Sequence, residues 1–315
     1  MNQSTLFPTL AVILAAGQGT RMRSDLPKVM HQVGNRALLG HVLASVAEAG
    51  IEDVAVVIGP NADAVAGYVK EVTPNARQFI QHDRLGTAHA VLAAAPALQA
   101  HEQGCVLVLF GDTPLISAQT LQRLRQALID GASVAVAGFN TVQPGPYGRL
   151  LVQDGRLLAI REAKDCTAQE LEITLCNGGV MGFRADQCMW LLQRINNQNA
   201  QGEYYLTDAV ELANAAGLSV QVVEVDEEDI LGVNDRVQLH AAEQVFQQRR
   251  RLQAMQTGVT LADANSVYFS ADTQVAADVQ IEPCVVFGPG VSVASGAKIP
   301  AFSRWQHIHI ENDPA

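Results

Sequence analysis

Three things are scarce in this 315-residue chain, and each scarcity closes off a class of function. Cysteine is the first. Cys105, Cys166, Cys176, Cys188 and Cys284 are odd in number and form no C-x-x-C pair, so buried free thiols are expected rather than a disulfide framework or a thiolate metal site. Basic side chains are the second. Against 32 Asp and Glu there are 21 Lys and Arg, and the net charge of −11 argues against nucleic acid or an anionic membrane as partner. Long apolar runs are the third: none approaches the ~20 residues that span a bilayer. Residues 1–8 also lack the cationic start and apolar core of a signal peptide. A cytoplasmic protein is the expectation.

The opening segment is defined as much by what it omits. Residues 10–16 are small or apolar and then break into Gly17 and Gly19, as a buried parallel strand does where it ends in a turn. A dinucleotide fold would add a third glycine, where Met22 stands, and an acid after the next apolar strand at 54–59. Neither is present. The Gly-Lys-Ser/Thr of a motor-type phosphate loop is absent too. In its place the turn leads to Arg21 and then Lys28, two cations able to meet phosphate oxygens that the glycine backbone lets approach closely. Arg21, Arg23, Lys28 and Arg36 face only Asp25 in the first 36 residues. A cationic patch in an acidic protein suits a small anionic ligand such as a polyphosphate.

Apolar strands at 10–16, 54–59, 79–81 and 105–110 alternate with helical spacing over 37–49, 62–69, 88–98 and 118–129. That alternation predicts an α/β fold, a doubly wound and mostly parallel sheet with helices on both faces. Ligands of such sheets bind beyond the carboxyl ends of the strands, and Gly17, Gln81 and Asp112 each fall just past one. A carboxylate at the mouth of a phosphate site suits Mg²⁺, which takes one or two carboxylates plus phosphate oxygens.

The middle third continues with a strand at 133–139, a hairpin-like segment over 147–162 and a glycine-bearing strand at 177–182. A polar, aromatic loop at 202–208 leads into a helix over 209–216, then a last strand at 220–225. Residues 236–256 form one long helix, whose arginines 249–251 read as a solvated end. From Phe269 the pattern changes: Phe269, Val275, Ile281, Phe287, Val293 and Ile299 recur every six residues, with Val279, Val285 and Val291 as a second series. A hexapeptide repeat is the mark of a left-handed parallel β-helix, here of about two coils. The period is expected to lapse from Pro300. The resulting plan is an α/β domain at 1–235, a linker helix at 236–258, a short β-helix at 259–303 and an irregular tail at 304–315.

Leu14, Ala15, Ala16, Gly17, Arg21, Pro27 and Lys28 together resemble the signature of sugar-phosphate nucleotidylyltransferases, whose fold is Rossmann-like. Gln81, Gly86, Thr87, Gly111, Asp112, Gly148, Arg149, Glu162, Asn177, the 202–205 segment and Asn234 resemble one family within them. That family is the bacterial bifunctional N-acetylglucosamine-1-phosphate uridylyltransferase/glucosamine-1-phosphate acetyltransferase, over about residues 9–303. The resemblance implies that Leu14, Ala15, Ala16 and Gly17 embrace UTP while Arg21 and Lys28 meet its phosphates. It implies that Gln81, Gly86 and Thr87 read uracil, that Phe110, Gly111 and Asp112 flank the ribose, and that Asp112 and Asn234 hold Mg²⁺. Gly148, Glu162, Asn177 and Tyr205 are implied to line a pocket for N-acetylglucosamine 1-phosphate, with Arg21, Lys28 and Asp112 as the catalytic groups. Phe110 stands where the family often has tyrosine. The family builds its acetyltransferase site and most of its homotrimer contact from later β-helix coils, so acetyl transfer is expected to be absent and trimerisation is left open. Another sugar 1-phosphate, or binding without turnover, remains an alternative.

Overall fold

Seven consecutive buried residues, Thr9–Ala15 (β1), run through the middle of a nine-stranded sheet. The other strands are Asp53–Ile58 (β2), Arg77–Ile80 (β3), Cys105–Phe110 (β4), Val134–Asn140 (β5), Arg149–Gln153 (β6), Arg156–Arg161 (β7), Leu175–Arg184 (β8) and Val220–Glu224 (β9). The sheet order is β9-β5-β8-β4-β1-β2-β3, with β6 joined to β8 and paired to β7. Strands β4, β1, β2 and β3 run parallel. β8 runs antiparallel to both β4 and β5, so the sheet is mixed and only mainly parallel. The computed structural model describes residues 7–312. It divides into two compact units, Met1–Met30 with Leu39–Gly232, and His31–Leu38 with Val233–Ala315.

Alternate side chains of β1 serve opposite cores. Ala11, Ile13 and Ala15 pack with helices Leu38–Glu48 (α1), Asp63–Val72 (α2) and Ala118–Ile129 (α5). Leu10, Val12 and Leu14 pack with Thr87–Ala93 (α3), Ala95–Ala100 (α4), Ala185–Leu192 (α7) and Ala209–Ala215 (α8). Burial on both faces is why the strand reads as a continuous apolar run, and each fully buried Leu, Ile or Val contributes about 1.5–3 kcal/mol. The single helix expected over 88–98 is two, broken at Ala94 because Pro96 can sit only in a first turn. A short helix at Ala168–Leu171 (α6) carries a capping box from Thr167 and Glu170. It had no apolar period to announce it.

In the second unit Arg236–Gln256 (α9) is capped by Asp235, whose carboxylate accepts from Gln238 N at 2.9 Å. Phe246 packs where a Cβ on Gly34 would lie 2.2 Å away, and Gly34 also has φ +52°, so only glycine fits. The C-terminal segment winds in short parallel strands that return after 18 residues: Gln280 pairs with Lys298, Gln274 with Ser292 and Val286 with Arg304. Val259, Phe269, Ile281, Phe287 and Ile299 line its core, with the Phe269 and Phe287 rings stacked at 5.4 Å.

Three expectations need correction. The 304–315 tail is not irregular over its described part: Arg304–Trp305 pairs with Val286–Phe287, and Ile308–Ile310 with Val291–Val293. Trp305 lies six residues after Ile299, so the period persists past 303; residues 313–315 fall outside the described chain. Residues 31–38 belong with the second unit, not with a continuous 1–235 domain. Arginines 249–251 are not a solvated helix end, since Arg251 is buried and donates to Val267 O (2.8 Å) and Asn265 O (3.2 Å). Among the described residues no helix is long and apolar enough to cross a membrane. All five cysteines are free, with Cys105, Cys176 and Cys188 buried.

Candidate active site

The carboxyl ends of β1 and β4 are tied together: Gly111 N donates to Leu14 O at 2.9 Å. A Cβ on Gly111 would stand 3.2–3.4 Å from Leu39, Leu14 O and Ala15, so this close seam wants glycine, and it sets Asp112 beside the 14–17 turn. Gly19 has φ +65°, and a Cβ there would be 2.4 Å from that of Lys28. The missing side chain lets Lys28 fold back over the loop, where its ammonium pairs with the Asp112 carboxylate. Met22 is buried and anchors the 3-10 turn Thr20–Met22, leaving Arg21 exposed at the same loop. Gly17, Arg21, Lys28 and Asp112 are thus assembled by one turn and two strand ends.

A second wall comes from the loop after β3. Gln81 N donates to Ile58 O at 2.9 Å, and its buried amide lies 3.4 Å from Gly86 O and 3.2 Å from His89 Nδ1. Gly86 has φ +117°, and a Cβ on it would meet Tyr204 O at 2.5 Å and Tyr204 N at 2.6 Å. The space is taken because the 202–208 loop is stitched on here: Tyr204 N donates to Leu85 O, Ala88 N to Tyr204 O, and Leu206 N to Thr87 Oγ1 (2.7, 2.9 and 2.9 Å). Thr87 therefore has a structural bond besides any ligand role.

The third group gathers around β8. Its register shifts between Asn177 and Met181, a bulge that carries Gly178 and Gly179 out of the ladder. Gly179 (φ +84°) then lies against the Phe110 ring, and its N–H donates to Asn177 Oδ1 at 3.0 Å. Asn177 N donates to Gly148 O (2.8 Å), and a Cβ on Gly148 would be 3.5 Å from Glu162 Oε2. Gly148, Glu162 and Asn177 are brought together. Glu162 and Tyr205 line a cavity of about 440 Å³ with Arg161, Asp165, Asn199 and Asp208. Burial holds the Glu162 carboxyl above the usual range, against a hydrogen bond from Thr207 (3.3 Å). Burial, with Glu211 and Glu162 nearby, pushes Asp208 up to about 6. The Tyr205 hydroxyl accepts from Gln201 at 2.8 Å.

Asn234 lies in the second unit, its N–H donating to Gln238 Oε1 at 2.8 Å. Among the described residues no cluster of three or more His, Cys, Asp or Glu could hold a metal. The partly buried Asp112 carboxylate beside the glycine turn nevertheless fits Mg²⁺, which takes only one or two carboxylates and relies on phosphate oxygens and water for its other ligands. Two residues that no motif singled out also stand here. Arg84 Nε donates to Ala16 O at 2.9 Å, adding a third cation to the turn, and Thr207 holds Glu162. Arg84's signal was its place between Gln81 and Gly86. Thr207 had none, because its partner is 45 residues away.

Residues 11–172 match the MobA-like NTP transferase domain family. The chain is 51% identical over 302 residues to Bifunctional protein GlmU of Azorhizobium caulinodans, covering 96% of this chain and 67% of that protein. It is 52% identical over 296 residues to Bifunctional protein GlmU of Rhodopseudomonas palustris, covering 94% of this chain and 65% of that protein. It thus spans about two thirds of the length of the relatives it matches. A crystal structure described as a glucose-1-phosphate thymidylyltransferase from Bacillus anthracis, in complex with a sucrose, shares the fold at a TM-score of 0.61. The sequences are 17% identical, and the match covers 75% of this chain and 94% of that one. With these matches and a glycine turn, two cations and a carboxylate at the strand ends, the chain belongs to the NTP transferase family, among the sugar-1-phosphate nucleotidylyltransferases related to Bifunctional protein GlmU.

Proposed function

We propose that the chain forms UDP-N-acetylglucosamine and pyrophosphate from UTP and N-acetylglucosamine 1-phosphate. The observation that carries the reading is the convergence of the Gly17–Gly19 turn, Arg21, Lys28 and Asp112 on the carboxyl ends of two adjacent strands. The Gln81–Thr87 loop offers an amide able to donate and accept at once, the chemistry that reads a uracil edge. Gly148, Glu162 and Asn177, gathered at the β8 bulge, offer acceptors and donors for sugar hydroxyls.

In the proposed reaction an oxygen of the sugar phosphate attacks the α-phosphorus of UTP in line. One P–O bond forms as the bond to the β-phosphate breaks, and pyrophosphate leaves with the electron pair. Two anions must meet, so positioning and charge neutralisation supply most of the catalysis. Arg21 and Lys28 offset the charge that grows on pyrophosphate. Asp112 is the proposed holder of Mg²⁺, which when bound would shield and orient the phosphates, and Asn234 is added by the family resemblance alone. Lys28 and Asp112 satisfy each other in the free protein. Substrate phosphates and a divalent ion offer each a new partner. No covalent intermediate is needed, and no thiol or imidazole is assigned as nucleophile.

We read the 18-residue turns after α9 as a left-handed β-helix. The test is pyrophosphate release with Mg²⁺ and a panel of UTP, dTTP and several sugar 1-phosphates. Release fastest with UTP and N-acetylglucosamine 1-phosphate supports the proposal. Faster turnover of another pair reassigns the substrate, and binding without release makes the chain a sugar-nucleotide binder.

A further inference from the structure

The buried Gln81 carboxamide stands just past the end of β3, and the way it faces is fixed by its neighbours. Gly86 O is a carbonyl and can only accept. It takes Ala90 N at 3.0 Å, and Gln81 Nε2 meets it at 3.4 Å. The Gln81 atom on that side is therefore the NH2 group. Its other hydrogen has a partner in His89 Nδ1, at 3.2 Å. That nitrogen must accept, which puts the ring proton of His89 on Nε2. His89 lies in the first turn of α3, and Ala88 N ties that turn to Tyr204 O at 2.9 Å. The Tyr204 ring stands beside the imidazole, with centroids 6.5 Å apart. Both amide hydrogens are thus turned inward and Oε1 is left. It meets no donor among the described residues, and it is not sealed from solvent.

A carbonyl held toward a pyrimidine edge tests the atom at N3. Uracil and thymine carry a proton there and donate it; cytosine carries a lone pair and is repelled. We propose that His89 is a positioning residue that holds the Gln81 carboxamide with its carbonyl toward the base, and that this orientation admits a nucleotide whose base donates from N3 and rejects cytosine nucleotides. The inference rests on the reading that Gln81 faces the base. An amide and its flipped form fill the same space, so packing alone does not choose between them. The Gly86 contact is long, and His89 supplies the shorter bond. Without that acceptor the amide is freer to turn and show its NH2 group to cytosine N3. A site that discriminates by a hydrogen-bonding group does so only while that group is held in one orientation. His89 is assigned to no reacting group, so its loss acts on nucleotide binding and not on the transfer step.

The test compares the full chain as wild type, as H89L, which removes the acceptor, and as H89N, whose amide oxygen can take the place of Nδ1. UTP and CTP are titrated calorimetrically into each. For both nucleotides kcat and KM are read from pyrophosphate release with Mg²⁺ and N-acetylglucosamine 1-phosphate. Wild type should prefer UTP. That preference should shrink about three- to tenfold in H89L, the scale of one hydrogen bond, through KM with little change in kcat, and H89N should restore it. A merely structural role would weaken both nucleotides alike; an unchanged UTP-to-CTP ratio in H89L therefore overturns the proposal, and so does an H89N ratio as low as that of H89L. If H89L fails to fold by circular dichroism, nitrogen NMR of the wild-type histidine rings decides, with His89 assigned by the signals missing from H89N. A proton on Nε2 and a bare Nδ1 support the proposal, and a proton on Nδ1 overturns it. Wild type that binds UTP without releasing pyrophosphate refutes the proposed reaction, while the calorimetric ratio still judges His89. Wild type with no preference for UTP over CTP refutes the reading of Gln81 and this inference together.

Discussion

Two glycines of the crevice make opposite demands, and substituting each with alanine separates fold from function. A methyl on Gly17 meets nothing within 4 Å, and its φ is not positive. Its effect on stability should stay within about 1 kcal/mol, because the substitution costs no contact and restricts the unfolded chain. The methyl points into the space where the turn is proposed to meet the nucleotide. A misplacement of about 1 Å at a reacting centre can cost about 10²-fold, so kcat/KM for UTP should fall by that order. Gly86 is the reverse. At φ +117°, with Tyr204 N and O at 2.6 and 2.5 Å, a methyl brings backbone strain of about 1–3 kcal/mol. It also pries at two hydrogen bonds, Tyr204 N to Leu85 O and Ala88 N to Tyr204 O, worth about 0.5–1.5 kcal/mol each. The sum is about 2–6 kcal/mol, or several degrees of Tm at least. Gly131→Ala is the control: φ +109° but nothing within 4 Å, hence strain without collision. Thermal melts and pyrophosphate assays on the three variants make the comparison. Undiminished kcat/KM in Gly17→Ala would refute the proposed nucleotide position, and a Gly86→Ala melt no lower than that of Gly131→Ala would refute the collision.

Asp112→Ala or Arg21→Ala should lower kcat by at least ~10²-fold, the scale of one lost electrostatic stabiliser, in the same pyrophosphate assay; near-normal turnover would remove the assigned roles. Asp208 has its pKa raised to about 6 from an ordinary value of 3.8, so between these pH values the folded chain binds more protons than the unfolded one. Stability should therefore fall as pH rises from about 4 to about 6, and Asp208→Asn should flatten that fall in Tm measured against pH; parallel curves would contradict it. Burial pushes the Cys105 and Cys188 thiols up to about 11 and about 12, while Cys284 is exposed. Iodoacetamide at neutral pH should modify Cys284 in the folded chain and reach Cys105 and Cys188 only after denaturation, as peptide mass spectrometry would show.

The strands at 10–16, 54–59 and 105–110 are legible in the sequence because burial on both faces leaves no polar interruption. The direction of β8 is not. Its glycines announce a close approach, but antiparallel pairing to β4 and β5 depends on where the chain re-enters the sheet, which no local pattern encodes. The coil past Pro300 is hidden because the second apolar series, Val279, Val285 and Val291, gives way to Ala297 and Ser303, which leaves Trp305 alone to carry the period. The candidate-site turn can be read from Gly17, Gly19, Arg21 and Lys28, since strand, turn and cations are neighbours in sequence. Thr207 and the seam between Gly86 and Tyr204 cannot, because contacts over 45 and more residues are set by tertiary packing. The arginines at 249–251 look solvated because a run of charge resembles a helix end; the coil that buries Arg251 comes later in the chain.

The most direct measurement is the crystal structure of the chain with UDP-N-acetylglucosamine and Mg²⁺. The account predicts uracil against Gln81 and Gly86, the diphosphate over the Gly17–Gly19 turn near Asp112, and the sugar against Gly148, Glu162 and Asn177. A product bound elsewhere, touching neither Gly17 nor Asp112, would contradict it.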